Sequence, residues 1–361
     1  MSDYTSRINR RDLLKGFGLG IMAGSVGLPK LAHAASDFTI TSDANPPGHG
    51  RRATFRKITT PARVSLVKGN DARDNMYKAL KHIEDEIVAS IGSKKKILIK
   101  PNFVSINRPL CATSADAVHG ILDFLKPHFK GQIIIGESTA NRAGTHEGFK
   151  NYGYLGMEKE YKLKCVDLNR QPFVYRYVFG QGHKPLPIRI INTFLDPDIY
   201  IISAAKMKTH DRALTTLSLK NVLLAAPVND YKKNDKGRTH TAYKFQKDTI
   251  LHYNMFHLAQ EIFPDLGVID GFEAMEGNGP IGGDPVDARI ALAGLDPLAL
   301  DTLTTKIMGF DPTQVLYLSA MNEAGMGQGD LDKINTFGTP LDQCQYKFKA
   351  SPRLLEAYNL G

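Results

Sequence analysis

The sequence has no tryptophan and only three cysteines, Cys111, Cys165 and Cys344, in 361 residues. They are far apart and form no Cys-x-x-Cys pair. A zinc ribbon is thereby excluded, and no iron–sulfur cluster on four cysteines is expected within this chain. Three is odd, so at most one disulfide can form, and each thiol reads as a small buried apolar residue. No fixed repeat recurs, which excludes a fibrous or solenoid chain. Gly-x-Ser-x-Gly, His-Glu-x-x-His, the Walker loop and Gly-x-Gly-x-x-Gly are all missing, so serine-nucleophile, zinc-protease and common nucleotide signatures find no support. Clustered Lys/Arg with interleaved aromatics is also missing; the short run RRATFRK at 51–57 reads as solvated surface, and no nucleic-acid partner is expected.

What is present is the composition of a folded α/β protein, with 42% hydrophobic and 23% charged residues. The formal net charge is +9, of which residues 1–34 contribute +3. The remaining +6 is modest and points only to an anionic ligand or surface. Arg10 and Arg11 precede a Gly-rich apolar run from Phe17 to Leu28 and the small-x-small triplet Ala32-His33-Ala34. That order reads as a twin-arginine export signal, cleaved after Ala34. It implies the twin-arginine translocase as a partner and a periplasmic or otherwise exported location. The run is too short for a stable transmembrane anchor across a core of about 30 Å. Export in the folded state also suits a protein loaded with a cofactor, whose identity the sequence leaves unknown, or an accessory subunit of an exported redox complex.

Beyond a polar linker or arm at 35–60, strand and helix patterns alternate over an expected α/β domain at 61–340, with a tail at 341–361. Residues 62–69 read as a strand, and 72–91 as one amphipathic helix with Met76, Leu80, Ile83, Ile87 and Ile91 on a face. Short apolar runs at 97–104, 132–138, 198–210 and 288–294 read as buried strands, 266–285 as a strand followed by a Gly-rich loop, with a helix from near Ser114 and Asp116 through Phe129 and others at 249–263, 297–308 and 312–324. The region 211–247 reads as a long polar stretch, either a lid or a disordered loop. This alternation predicts a mostly parallel sheet with helices on both faces, a three-layer sandwich. In such sheets ligands bind beyond the carboxyl ends of the strands, where Lys100-Pro101-Asn102, Glu137-Ser138, Lys206 to His210 and Asp270-Gly271 fall.

At these residues the sequence resembles the domain-of-unknown-function 362 family. The matching pieces are IKPNF (99–103), AKMKTH with TLSLKN (205–221), VIDGFEAMEGNGPIGGDP (268–285), LDPLALDTLTTKIMGFDP (295–312) and EAGMGQGDLDKI (323–334). The resemblance implies the fold and the place of a site, not a reaction. Some relatives carry ferredoxin-like cysteine clusters, and this sequence lacks them.

Three constellations carry chemistry. Lys100, Lys206, Lys208, His210, Lys220, Asn102 and Asn221 lie at or past strand ends, and alternate residues of an extended segment share a side. Cations and amides converging there would hold a carboxylate, phosphate or sulfonate. A lysine desolvated among them becomes a base or nucleophile, so Lys208, His210 and Lys220 are the candidate catalytic groups. Asp270, Glu273 and Glu276 offer hard oxygen ligands for a divalent metal, or an ion network with the lysines. Gly277-Asn278-Gly279 allows close backbone approach to an anion, or a plain turn. Asp296 before Pro297 reads as a helix N-cap. The leading expectation is an enzyme acting on a small anion by Lys/His acid–base chemistry; a periplasmic anion- or cofactor-binding protein without turnover uses the same residues.

Overall fold

The computed structural model describes residues 60–141, 144–240 and 249–355, all within one compact unit. The expected signal peptide and, but for Thr60, the expected arm lie outside the described residues.

Strand β1 (Ala62–Lys68) leads into α1 (Ala72–Lys81) and α2 (Glu84–Ile91). The five stripe residues expected on one helix are all buried, yet the helix breaks at His82–Ile83. His82 Nδ1 meets the Ser65 hydroxyl at 2.9 Å, which ties the break to β1. Strand β2 (Lys96–Lys100) stops at Pro101, which has no N–H for the ladder. Ser114 caps α3 (Ala115–His128) by accepting from Ala117 N, and β3 (Gln132–Glu137) follows. Helices α4 (Thr145–Asn151) and α5 (Leu155–Glu160) then lead to β4 (Lys164–Asp167). Strands β5 (Phe173–Phe179) and β6 (Pro185–Ile191) form a separate two-stranded sheet.

The second half holds β7 (Ile199–His210), β8 (Leu214–Thr216), α6 (Ser218–Leu223) and α7 (Asp235–His240). Helix α8 (Thr249–Ala259), β9 (Leu266–Glu276) and β10 (Asp284–Gly294) follow. Helices α9 (Pro297–Ile307) and α10 (Leu316–Glu323) and strand β11 (Ile334–Gly338) close the order. As expected, Asp296 caps α9, accepting from Leu298 N and Ala299 N ahead of Pro297.

The main sheet has nine strands in the order β11-β1-β10-β9-β7-β2-β3-β4, with β8 appended to β7. It is mostly parallel, as predicted; β10 runs antiparallel to both neighbours, and β8 runs antiparallel to β7. On one face Ile97, Ile99, Tyr200, Ile202 and Ala204 pack with Met76 and Leu80 of α1 and Ile121 and Phe124 of α3. On the other, the Ser203 hydroxyl of β7 donates to the carbonyl of Ser218 in α6. There Gly267 of β9 lies so close to α6 and α9 that a Cβ would sit 2.6 Å from Ser218 Oγ and 2.5 Å from Leu300 Cδ2. Glycine at that position brings the α6–α9 layer onto the sheet.

Two expectations change. The stretch 211–247 is neither lid nor disordered loop over its described part: residues 213–229 are buried and form β8 and α6, and Asp235–His240 forms α7. Residues 241–248 lie outside the described set. The expected tail also belongs to the body. Cys344, Phe348, Ala350 and Leu354 are buried, and Tyr346 N and Phe348 N donate to the carbonyls of Ile307 and Met308.

Candidate functional site

The strands β2 and β3 end at nearly the same level, β7 runs on seven residues past its Ser203–Lys100 pair, and the C-terminal residues of all three line a cleft of about 360 Å³. It is lined by Lys100 and Asn102, by Glu137 and Ser138, by Lys208 and His210, and by Thr216, Lys220 and Asn221. Asn234, Lys236 and His240 from the α7 segment, Asp211, Arg212 and Pro280 complete much of its wall. The site thus falls beyond the carboxyl ends of parallel strands.

Asn221 holds the floor together. Its Nδ2 donates to the Lys100 carbonyl (2.9 Å) and the Ser203 hydroxyl (3.1 Å), while its Oδ1 accepts from Lys100 Nζ and Asn102 Nδ2, both at 3.1 Å. Lys100 is 1% exposed and its ammonium lies 2.9 Å from Glu137 Oε1. Glu137 also accepts from the backbone N–H groups of Phe103 and Ser138, each at 2.6 Å. Burial lowers the Lys100 pKa, with Glu137 opposing that shift.

The other lysines have less compensation. Lys208 Nζ donates to the Cys111 carbonyl at 2.7 Å, and Lys236 Nζ donates to the carbonyl and hydroxyl of Ser138. The Lys220 ammonium makes no hydrogen bond or ion pair among the described residues, although the Asp211 charge acts on it; the residue is 6% exposed. Desolvation brings each of these three amines down to about 7, because an unpaired ammonium is costly away from water. Two polar atoms in the same wall are also left over: Asn102 Oδ1 and Thr216 Oγ1 are buried without a partner among the described residues. The cleft is thus lined by buried amines and by polar atoms left without partners.

The histidines show opposite tautomers. Backbone N–H groups of Arg212 (3.1 Å) and Ala213 (3.2 Å) both point at His210 Nδ1. An N–H only donates, so Nδ1 carries the lone pair and the proton sits on Nε2. Asp211 Oδ1, 3.4 Å from that Nδ1, is therefore not its hydrogen-bond partner. His240 Nδ1 lies 2.8 Å from the Lys236 carbonyl, an acceptor, so here Nδ1 holds the proton and Nε2 the lone pair. The rings are 6.4 Å apart, and burial with the nearby Lys220 holds both below the ordinary histidine pKa. One neutral ring offers a donor and the other a base.

The supports are local. Asp301 of α9, fully buried, accepts from the Ser218 and Leu219 N–H groups at the start of α6 and sets the helix that bears Lys220 and Asn221. Arg189 of β6 bonds Asp235 (2.6 Å) and Asp230 (2.6 Å), anchoring the start of α7 with Lys236 and His240.

Of the predicted site residues, Lys100, Asn102, Lys208, His210, Lys220 and Asn221 come together here. Lys206 does not, although it shares strand and parity with Lys208. It faces Asp270 directly across the β7–β9 pair at 3.2 Å, and the pairing shifts register before Lys208. Lys206, Asp270 and Glu273 line a separate cleft of about 820 Å³. Glu276 instead binds Lys349 through its backbone N–H (2.9 Å) and ammonium (3.2 Å). The acidic trio lies along one strand and does not converge on a single point; among the described residues no three His, Cys, Asp or Glu side chains are placed to hold a metal ion.

The Gly277-Asn278-Gly279 loop uses its own amides. Gly277 N donates to the Lys349 carbonyl and Gly279 N to the Gly277 carbonyl. A Cβ on Gly279 would lie 2.1 Å from the Thr209 carbonyl oxygen, so its glycine serves close packing against β7. The loop reaches the cleft through Pro280.

Sequence reasoning missed Glu137 as Lys100's partner, and missed Lys236 and His240. The last two are four apart, the spacing of neighbours on a helix face, but no apolar stripe marked α7 as a helix. The cysteines are free among the described residues, with Cys111 and Cys344 buried and Cys165 partly so. No described helix is long and apolar enough to cross a membrane.

Comparisons with known proteins follow the same residues. The family model described as "Domain of unknown function (DUF362)" matches residues 97–306, which span the strands and helices of the cleft. A thylakoid-associated protein of Synechocystis sp. is 28% identical over 235 residues, 64% of this chain and 68% of that protein. A solved structure of a Thermotoga maritima protein aligns with 61% of this chain and 55% of its own at 12% identity and a TM-score of 0.37, a likeness that carries no argument.

Proposed function

Because the chain belongs to the domain-of-unknown-function 362 family, a name that prescribes no reaction, we propose its function from the cleft: it binds a small anionic molecule among Lys100, Lys208, Lys220 and Lys236 and acts on it by proton transfer. The observation that carries this reading is the set of buried amines, four lysines against Glu137 and Asp211 in one cleft. Of the two acids only Glu137 is committed to a lysine, Lys100. An anion entering the cleft supplies the charge that three of these amines lack. His210 Nε2–H is a donor for an oxygen that gains charge, and His240 Nε2 is a base for a proton that leaves. Neutral histidines suit this task, because a neutral imidazole both donates and accepts.

The sign of the pH effect follows from the lysines. Lys208, Lys220 and Lys236 sit near 7, so each is partly deprotonated at neutral pH. An anion favours the ammonium form, so binding takes up protons, and affinity falls as pH rises through about 7. Titration calorimetry with phosphate or a small carboxylate, repeated in buffers of different ionisation enthalpy, reads this uptake. Binding without buffer dependence, or affinity that rises with pH, contradicts the reading.

The protein does this work outside the cytoplasm, after export through the twin-arginine route marked by Arg10 and Arg11. Replacing both, Arg10→Lys and Arg11→Lys, leaves the full-length precursor in the cytoplasm in cell fractionation. An unchanged periplasmic yield of shortened protein removes that assignment.

A further inference from the structure

The cleft contains one amine that the structure does not use. Lys100 is tied to Glu137 and Asn221, Lys208 to the Cys111 carbonyl and Lys236 to Ser138. Lys220, 6% exposed, lines the same cleft; its ammonium makes no hydrogen bond or ion pair among the described residues and is acted on by Asp211 at longer range. Its helix is held from behind by Asp301, so the amine is aimed by a rigid element. His210 and His240, with their opposite tautomers, line the same wall.

We propose that Lys220 is a nucleophile that forms an imine with the carbonyl carbon of a small oxo acid, whose carboxylate is held by Lys208 and Lys236. This deepens the anion-binding reading and rests on it. The Lys220 lone pair attacks the carbonyl carbon; a C–N bond forms, and the carbonyl π pair moves to oxygen. His210 Nε2–H hydrogen-bonds that oxyanion without giving up its proton. His240 Nε2 takes a proton from the new ammonium and passes it to the oxygen, which gives the neutral carbinolamine. The second nitrogen proton follows by the same ring, the C–O bond breaks, and water leaves. The sum is one carbonyl and one amine giving one imine and one water, with no oxidant or reductant.

One observation supports Lys220 over its neighbours, and two more suit the cleft to the reaction. Its lone pair is not diverted by an ion pair or by an N–H committed to a carbonyl, as those of Lys208 and Lys236 are. Its amine is brought to about 7, so a neutral fraction exists at neutral pH. The orphaned Asn102 Oδ1 and Thr216 Oγ1 provide further hydrogen-bonding capacity for an oxygen-rich ligand; the threonine hydroxyl donates and the amide oxygen accepts from a ligand hydroxyl.

The test is borohydride trapping on the full protein with pyruvate and with acetoacetate, using lactate as the anion without a carbonyl. Intact mass and peptide mapping read the product. The expected result is one adduct per chain, equal to the acid less one oxygen, on Lys220. Lys220→Arg keeps the charge and is expected to lose the adduct, while thermal shifts of the unaltered protein with lactate read anion binding separately. Adducts on Lys208, on Lys236 or scattered over surface lysines overturn the assignment, as does no adduct with either oxo acid. If lactate still shifts the melting curve in those cases, the anion-binding cleft stands and only the imine falls. If no anion shifts it and no adduct forms, both fall.

Discussion

Lys220→Met stabilises the ligand-free protein at pH 6 by on the order of 3 kcal/mol and weakens anion binding. The reason is the cost of a charge held away from water. In the folded protein the Lys220 amine sits at about 7, whereas in the unfolded chain it keeps its proton to about 10.4. Below 7 both states are charged and the folded one bears the full penalty. Between 7 and about 10.4 the unfolded state binds more protons, so this group makes stability rise with pH until the penalty is gone. Methionine keeps much of the volume and removes the charge. Denaturant unfolding at pH 6 and at a pH above 10 separates the effects: the gain is present at the first and absent at the second. An equal gain at both pH values, or none at pH 6, contradicts the assignment of Lys220 as a desolvated, unpaired amine. Stability gained together with binding weakened is the signature of a group retained for function.

Glu137→Ala has the opposite effect, a loss of about 3 kcal/mol or more at neutral pH. Its carboxylate is 2% exposed and collects the Lys100 ammonium and two backbone N–H groups. Removing it leaves two buried donors unsatisfied and strips Lys100 of its counter-charge, so that amine sheds its proton or bears the cost. Lys100→Met is milder, because Glu137 keeps both backbone donors at 2.6 Å. The same denaturant unfolding, applied to both variants, reads this order. Equal losses would falsify the view that Glu137, not Lys100, anchors the ends of β2 and β3. The pair also matters for binding: with Glu137 committed to Lys100, the remaining lysines face the cleft with little acid to neutralise them.

The buried strands, the helix at 297–307 with its Asp296 cap and the general α/β layering were legible in the sequence. They rest on local signals: apolar runs, one-sided stripes and capping residues whose meaning depends on nearby chain. The motif around Lys206 to His210 was legible as a strand end for the same reason. Alternation along β7 put Lys206, Lys208 and His210 on one side, and two of the three meet. The third is separated by a register shift against β9, which no property of β7 alone encodes.

The stretch 211–247 misled for a different reason. Its lysines, asparagines and threonines look solvated, yet Thr215, Thr216, Ser218, Lys220 and Asn221 are buried. Hydropathy reports the usual place of a residue type, and the wall of this cleft is where that average fails. Asp270, Glu273 and Glu276 looked like a ligand set because they are close in sequence. On a strand they do not gather: Asp270 and Glu273 line the second cleft, Asp270 paired with Lys206, and Glu276 goes to Lys349.

The sequence by itself determined the class of fold, the strand ends at which a site would lie, and the residue types able to hold an anion. Tertiary structure decided which of those residues share a cleft, which amine is left without a partner, and which ring nitrogen of each histidine holds its proton. The division is physical. Periodicity and capping depend on residues within a few positions of one another. Ion pairing, desolvation and tautomer depend on atoms brought together across the sheet, as when Lys100 meets Glu137 and Asn221, or Lys236 meets Ser138.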